Sequence, residues 1–236
     1  MNEKRLLSYI RKAVSKYDMI QENDKIAVGI SGGKDSLALL WGLAKLKRFY
    51  PNKFDIVAIT VNVGFDNMDF TEVKKFCEDL KIDYHIIDTE IKEIVFDIRK
   101  EKNPCSLCAK MRKGAFNEKA KELNCNKIAY AHNMDDVSET LMMSLIYEGR
   151  INCFEPVTYL DRMDLTLIRP LLFSPEKDVK GFANKYNLPV VKSTCPADGN
   201  TKREYTKNLL HAINTDAPGV IERISNAAFD LYKEGE

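Results

Sequence analysis

The chain has 236 residues, 44% of them apolar and 30% charged, enough for one sizeable core, and no run approaches the ~20 apolar residues of a membrane span. Its 36 basic and 35 acidic residues leave a net charge of +1, which excludes nucleic-acid binding driven by bulk charge and leaves only local patches. The start, MNEKRLLSYIRKAV, is charged and amphipathic without the apolar stretch of a signal peptide, so a cytoplasmic protein with no membrane association is expected.

In chain order, the spacing of apolar residues predicts a helix over Arg5–Lys16, a buried strand over Lys25–Ile30 and a helix over Ser36–Lys47. A second strand is expected at Phe54–Val61, a helix at Phe70–Leu80, a third strand at Asp83–Ile87 and a helix at Ile91–Arg99. Pro104 stops that helix and suits the first turn of a new one beginning near Cys105. A fourth strand follows at Asn126–Ala131, a helix at Met134–Tyr147 and a fifth strand at Leu165–Arg169. Ser174 is placed to cap a helix that starts at Pro175-Glu176 and ends near Tyr186-Asn187. Helices over Glu204–Ile213 and Gly219–Tyr232 close the chain. Alternating strands and helices imply an α/β fold with a Rossmann-like, mostly parallel five-stranded sheet covered on both faces. The expected division is an N-terminal helix (1–20), a nucleotide-binding domain (21–192) and a C-terminal helical segment (193–236). Ligands of such sheets sit beyond the carboxyl ends of the strands.

The first strand runs into Ser31-Gly32-Gly33-Lys34-Asp35-Ser36. It is not a Walker loop: Gly29 and Gly33 are too close together, and Asp35 follows Lys34 where Ser or Thr belongs. The ingredients of an anion cradle are still present. Two glycines let backbone N–H groups approach, a helix begins there, and Lys34, Ser31 and Ser36 add charge and hydroxyl donors.

Six cysteines are present. In a cytosolic chain buried thiols, metal ligands or redox chemistry are likelier uses than disulfides. Cys105 and Cys108 sit at i and i+3 near a helix start, where their thiols converge and the helix dipole favours thiolate. That spacing suits a metal, a cluster, a redox dithiol or half a zinc site. Cys195 lies 87 residues beyond Cys108 in KSTCPADG. Cys77 and Cys125 read as buried thiols.

The succession SGGKDS, PCSLCAKMRKG, AHNMDD, RPLL and CPAD resembles the PP-loop tRNA thiolases among the N-type ATP pyrophosphatases, and within them the 2-thiocytidine (TtcA-like) group. The match runs from about Lys25 to the chain's end. The resemblance implies an enzyme that uses ATP to adenylate a base carbonyl oxygen of tRNA, C2 of cytidine 32 by that likeness, with release of pyrophosphate. Sulfur then displaces AMP. It implies a 4Fe-4S cluster on Cys105, Cys108 and Cys195 with one iron left open, together with Mg²⁺. Its partners would be tRNA, a sulfur donor such as a desulfurase-derived persulfide or sulfide, and a second copy of the chain in a homodimer. Other acceptors, or an adenylating or merely ATP-binding relative, are the rival readings. The chain departs from the pattern in having Ala131 before His132 and no C-x-x-C at Cys195, and it lacks the terminal zinc-ribbon pairs of the 2-thiouridine-54 branch.

On the same likeness Ser31, Gly32, Gly33, Lys34, Asp35 and Ser36 hold phosphates, and Val61, Asn62, Ala131, His132, Asp136 and Arg169 surround the nucleotide. Asp135 is expected to be catalytic, with Asp136 more apt to cap the helix. Arg112 lies one turn beyond Cys108 on the same helix face, where it would stabilise the developing oxyanion. Phosphate grips for RNA are sought at Lys202, Arg203 and Lys207, at Lys100, Lys102 and Lys110, and at Arg11, Lys12 and Lys16.

Overall fold

The computed structural model describes residues 1–66, 68–100, 104–192, 194–196 and 201–230. Six strands form one sheet in the order β3-β2-β1-β4-β6-β5. They are β1 (Asp24–Gly29), β2 (Phe54–Asn62), β3 (Asp83–Asp88), β4 (Lys127–Ala129), β5 (Val157–Leu160) and β6 (Leu165–Ile168). All neighbours run parallel except β5 and β6, which form an antiparallel hairpin at one edge. The helices are α1 (Glu3–Lys16), α2 (Lys34–Leu46), α3 (Thr71–Asp79), α4 (Pro104–Glu122), α5 (Met134–Met143), α6 (Glu176–Lys185), α7 (Lys202–Asp216) and α8 (Val220–Asp230).

The sheet therefore has six strands, not the five expected. The additional strand, β5, is four residues long and leaves Tyr159 57% exposed. Such a short, half-wet edge carries little periodic signal. Two expected helical stretches adopt π-type turns, over Glu93–Ile98 and Ser144–Glu148. The second ends at Gly149, whose φ of 64° lies in the left-handed region. The predicted cap Ser174 does not cap α6. Its hydroxyl is buried without a hydrogen-bond partner, and Glu176 N donates instead to Asp135 Oδ2 at 2.7 Å. Tyr232 and Lys102 lie outside the described residues.

Strand period two sorts β1 between the two faces. Ile26 and Val28 join a large core with α1, α2, α5, α6 and α8, whereas Ala27 meets Val57, Ile59, Phe116 and Ala120 on the α4 side. Phe182 is fully buried and its ring centroid lies 4.8 Å from that of Trp41, so α6 is locked to α2. Burial of a side chain this size stabilises by about 1.5–3 kcal/mol. The C-terminal helices join this core: Ala228 and Phe229 of α8 are buried, and Phe229 packs edge-on against Phe173 at 5.2 Å.

The chain reverses direction across the sheet between β1 and β4. To one side lie β2 and β3, to the other β6 and β5. Loops leaving β1 and β4 diverge at such a switch point and leave a crevice at the strands' carboxyl ends. SGGKDS follows β1, and AHNMDD follows β4.

Candidate active site

The loop 31–36 is tied to itself before it meets any ligand. Gly33 N donates to Ser31 Oγ at 3.2 Å, Ser31 N donates to Ser36 Oγ at 3.2 Å, and Ser36 Oγ donates to Gly33 O at 2.9 Å. Gly32 has φ +80°, and its carbonyl accepts from Val191 N at 3.0 Å. A Cβ at position 32 would stand 2.9 Å from Val191 Cβ. Gly32→Ala therefore combines backbone strain with a steric conflict. The expected result is weaker ATP binding by at least about tenfold, since a distortion of ~1.4 kcal/mol is already a factor of ten. Isothermal titration with a non-hydrolysable ATP analogue checks it, and unchanged affinity would show that the loop relaxes without loss.

Two cavities open at this end of the sheet. One, of about 510 Å³, is lined by Ser31, Asp35, Ser36, Val61, Arg112, Ala131 and His132, among others. The second, of about 400 Å³, is lined by Ser31, Gly33, Val61, Arg112, Thr201 and the three cysteines Cys105, Cys108 and Cys195, among others. Ser31, Val61 and Arg112 belong to both walls, so the cavities adjoin. Cys105 and Cys108 come from the first turn of α4, which begins at Pro104 as its missing N–H and fixed φ favour. Cys195 comes from the segment after α6.

Cys105 is exposed, Cys108 and Cys195 are partly covered, and Cys77, Cys125 and Cys153 are buried elsewhere. None of the six is in a disulfide. Burial pushes the Cys108 thiol above its usual range, Arg112 pulls it back, and Cys195 and Cys105 push it further up. The three sulfurs thus sense one another. The helix-start effect expected from sequence is outweighed here by desolvation.

His132 is held neutral. Burial, with Arg169 and Arg203 adding to it, presses the ring down to about 3. Its Nδ1 accepts from Arg169 Nε at 3.3 Å, which leaves the proton on Nε2. The ring stacks on Phe154 at 4.6 Å. Arg169 was expected to meet ATP or RNA. Its side chain is buried behind His132, donating to the Glu155 carbonyl and to Thr158 Oγ1 and lying 4.9 Å over Phe154.

Three other residues expected to meet the nucleotide are engaged by partners within the protein. Lys34 does not line either cavity. Its Nζ pairs with Asp35 at 2.8 Å and with Glu176 at 2.9 Å. Asn62 donates to Asp88 Oδ1 at 2.9 Å and accepts from Gly64 N, so its side chain ties strand ends together. Asp136 closes a capping box with Asn133, whose Oδ1 accepts from Asp135 N and Asp136 N while Asp136 Oδ2 accepts from Asn133 N at 2.9 Å. The cap is therefore Asn133. Its Nδ2 also donates to Asp35 Oδ1 at 3.1 Å, which ties the loop to α5.

Asp135 lines a third cavity with Glu176, Lys207 and His211. Burial raises its carboxyl, partly offset by the N–H of Glu176. Ligand atoms of Asp135, Glu176 and His211 gather within 4.8 Å of one another. Burial alone would push Glu176 up, but hydrogen bonds from Lys207 and Lys34 hold it at about 2. Glu139 and Thr201 stand in no motif that spacing or composition singles out, and Glu176 reads only as a helix start.

Among the basic residues sought for RNA, Arg203 pairs with Glu139 at 3.1 Å and Lys207 with Glu176 at 2.8 Å. Lys12 and Lys16 lie over the ring of Phe173. Glu139 is buried, and burial first, then Asp136, raises it to about 7 despite Arg203 and Lys207. With an ordinary value of 4.5, the folded state holds an extra proton between about pH 4.5 and 7. Stability from this group must fall as pH rises through that window. Glu139→Gln is therefore expected to gain on wild type by roughly 2 kcal/mol between pH 5 and 8. Thermal unfolding of both across that range checks it, and a constant difference would show that Glu139 titrates normally.

The PP-loop domain family matches residues 3–214. A tRNA-cytidine(32) 2-sulfurtransferase of Pelobacter propionicus is 35% identical over 232 residues, which cover 97% of this chain and 86% of that protein. One from Citrifermentans bemidjiense is 31% identical over 231 residues, with 97% and 91% covered. Among solved structures, the U34-tRNA thiolase NcsA from Methanococcus maripaludis, determined with its 4Fe-4S cluster, superposes with a TM-score of 0.80 and 28% identity over 99% of this chain and 79% of that one. An NH3-dependent NAD synthetase from Campylobacter jejuni, at 18% identity and a TM-score of 0.52, shares the fold alone.

Proposed function

The chain belongs to the PP-loop family, in the group of the tRNA-cytidine(32) 2-sulfurtransferases, and from that premise we propose that it thiolates a tRNA base using ATP. The observation that carries the reading is the shared wall of the two cavities. A nucleotide-sized space and a three-cysteine space meet at Ser31, Val61 and Arg112.

ATP enters the larger cavity, its phosphates against Ser31, Ser36 and the start of α2. Neutral His132 offers its Nε2–H as a donor there, and the loop's own hydrogen bonds preset its shape. Asp35 is the carboxylate of this wall and the place for Mg²⁺ on the pyrophosphate, while Asp135 with Glu176 stands behind the loop. The base carbonyl oxygen attacks the α-phosphorus, and pyrophosphate leaves. Hydrosulfide then adds to the activated carbon. AMP departs with the oxygen, the sulfur loses its proton, and a C=S bond replaces C=O. Arg112 faces both spaces, so its charge can follow the negative charge from phosphate to departing AMP.

Cys105, Cys108 and Cys195 fit a 4Fe-4S cluster: three thiols share one cavity, all outside disulfides, with no fourth cysteine in its described lining. When bound, the cluster supplies an iron without a thiolate, at which incoming sulfide can be held. Sulfide or a desulfurase-derived persulfide would be the donor, and the cytoplasm the place of work. A homodimer remains part of the reading because tRNA is large relative to one subunit. Among the described residues no helix is long and apolar enough to cross a membrane.

The test is nucleoside analysis of tRNA from a deletion strain, paired with reconstitution using ATP and sulfide. Loss of 2-thiocytidine, and AMP and pyrophosphate formed with each thiolation, are expected. Loss of a 2-thiouridine instead would favour the second reading, which the likeness to the U34-tRNA thiolase supports. ATP binding without AMP release would overturn both.

A further inference from the structure

A thiolase must bring one base of a folded RNA into a closed cavity. Removing a base from its stack leaves its neighbours without partners, at a cost of a few kcal/mol. Proteins that handle unpaired RNA offset this with aromatic side chains on which bases stack, beside cations for the phosphates.

Such a surface begins on α7 one residue beyond a side chain that lines the cysteine cavity. Thr201 lines that cavity and caps α7, its Oγ1 accepting from Glu204 N at 3.2 Å. The next residue, Lys202, lies with Nζ 4.7 Å over the ring of Tyr147. Tyr205 is three positions further, on the same side of the helix as Lys202. Tyr205 is 61% exposed and Tyr147 39%. Tyr147 belongs to the π-type turn 144–148, which also turns Leu145 and Ile146 outward. Turns of this kind are frequent at functional sites. Arg203, next to Lys202, is committed to Glu139, so the patch presents one cation and two rings toward solvent.

We propose that Tyr147 and Tyr205, joined by Lys202, form a stacking platform at the mouth of the cysteine cavity for unpaired bases flanking the reacting nucleotide of the RNA loop. The proposal rests on the thiolase reading and names its docking surface. Charge complementarity argues for RNA over a second copy of the chain. An RNA loop offers phosphate to the lysine and flat faces to the rings, and the RNA of the proposed reaction must reach the cavity that Thr201, one residue away, lines.

The experiment is fluorescence anisotropy with a labelled, unmodified anticodon stem-loop and the anaerobically reconstituted holoprotein. Tyr205→Ala and Tyr147→Ala are each expected to weaken binding about tenfold or more. Tyr205→Phe should bind like wild type, because stacking needs the ring and not the hydroxyl. Lys202→Ala should lower the slope of log affinity against log salt by about one contact's share. A 2-aminopurine beside the target base should lose its stacking quench with the alanine variants. Iron content and melting temperature should stay at wild-type values, since these side chains lie at the surface. If wild type binds the RNA and the tyrosine variants bind it equally well, the platform is wrong while the thiolase reading stands. If the variants change the sedimentation coefficient and not RNA affinity, the patch is an interface between copies and the proposal falls. If wild type binds no tRNA or stem-loop, the thiolase reading fails with it.

Discussion

Cys195→Ser is expected to strip cluster iron from the protein and lower thiolation by at least about 100-fold, since even loss of a supporting group around a metal costs 10–100-fold. Three thiols line the cavity, and two of them come from one turn of α4. Cys195 is the one supplied by another part of the chain, so in the proposed cluster it is the ligand that completes the donor set. Serine keeps the size but offers a hydroxyl, a poor ligand for soft iron–sulfur centres. Anaerobic preparations should show about four irons and four sulfides per wild-type chain with a broad absorbance near ~400 nm, both reduced in the variant. ATP affinity should persist, because Cys195 lies on the wall away from the nucleotide cavity. The control is Cys153→Ser: Cys153 is buried, its thiol lies 3.6 Å from the Val137 carbonyl, and the site needs nothing from it. Full iron in Cys195→Ser, or zinc in place of iron in wild type, would remove the three-cysteine cluster from the reading.

The parallel core was legible because β1, β2 and β4 are buried runs between glycines, polar turns and amphipathic helices. The grouping of Cys105, Cys108 and Cys195 was legible only through the likeness to a family, since 87 residues separate the last two. What the sequence concealed were side-chain commitments. Lys34 stands in the loop where a phosphate ligand is expected, yet Glu176, 142 residues away, takes its charge together with Asp35. Arg169 ends a strand beside the site and turns behind His132. Asn133, not either aspartate after it, caps α5. Periodicity locates a residue on an element but says nothing of which distant partner will occupy it, and a buried charge is decided by that partner. The same limit hid Glu139, whose carboxyl is raised by burial and by Asp136 while Arg203 of α7 pulls it back.

Arg112→Met should leave the fold and the cluster in place and reduce thiolation by about 10²–10³, the scale seen when one preorganised donor to a developing charge is removed. Arg112 is one of three residues lining both cavities, and the only cation of the three. Negative charge moves during the reaction from the triphosphate to the bridging oxygen and then to AMP. A guanidinium on the common wall stays close to it throughout and needs no rearrangement. Methionine preserves much of the side chain's volume, so loss of activity with normal iron content isolates the charge. Arg112→Lys retains the charge but not the planar fork, and should recover part of the rate. Single-turnover quench separates the roles: slowed pyrophosphate release assigns Arg112 to adenylation, and AMP release lagging behind normal pyrophosphate release assigns it to sulfur attack. Thiolation within about threefold of wild type, less than ~0.7 kcal/mol of barrier, would reduce Arg112 to a piece of cavity wall. The stacking of two reactive spaces on one side chain would then be incidental, and the route from nucleotide to sulfur would have to run past Ser31 instead.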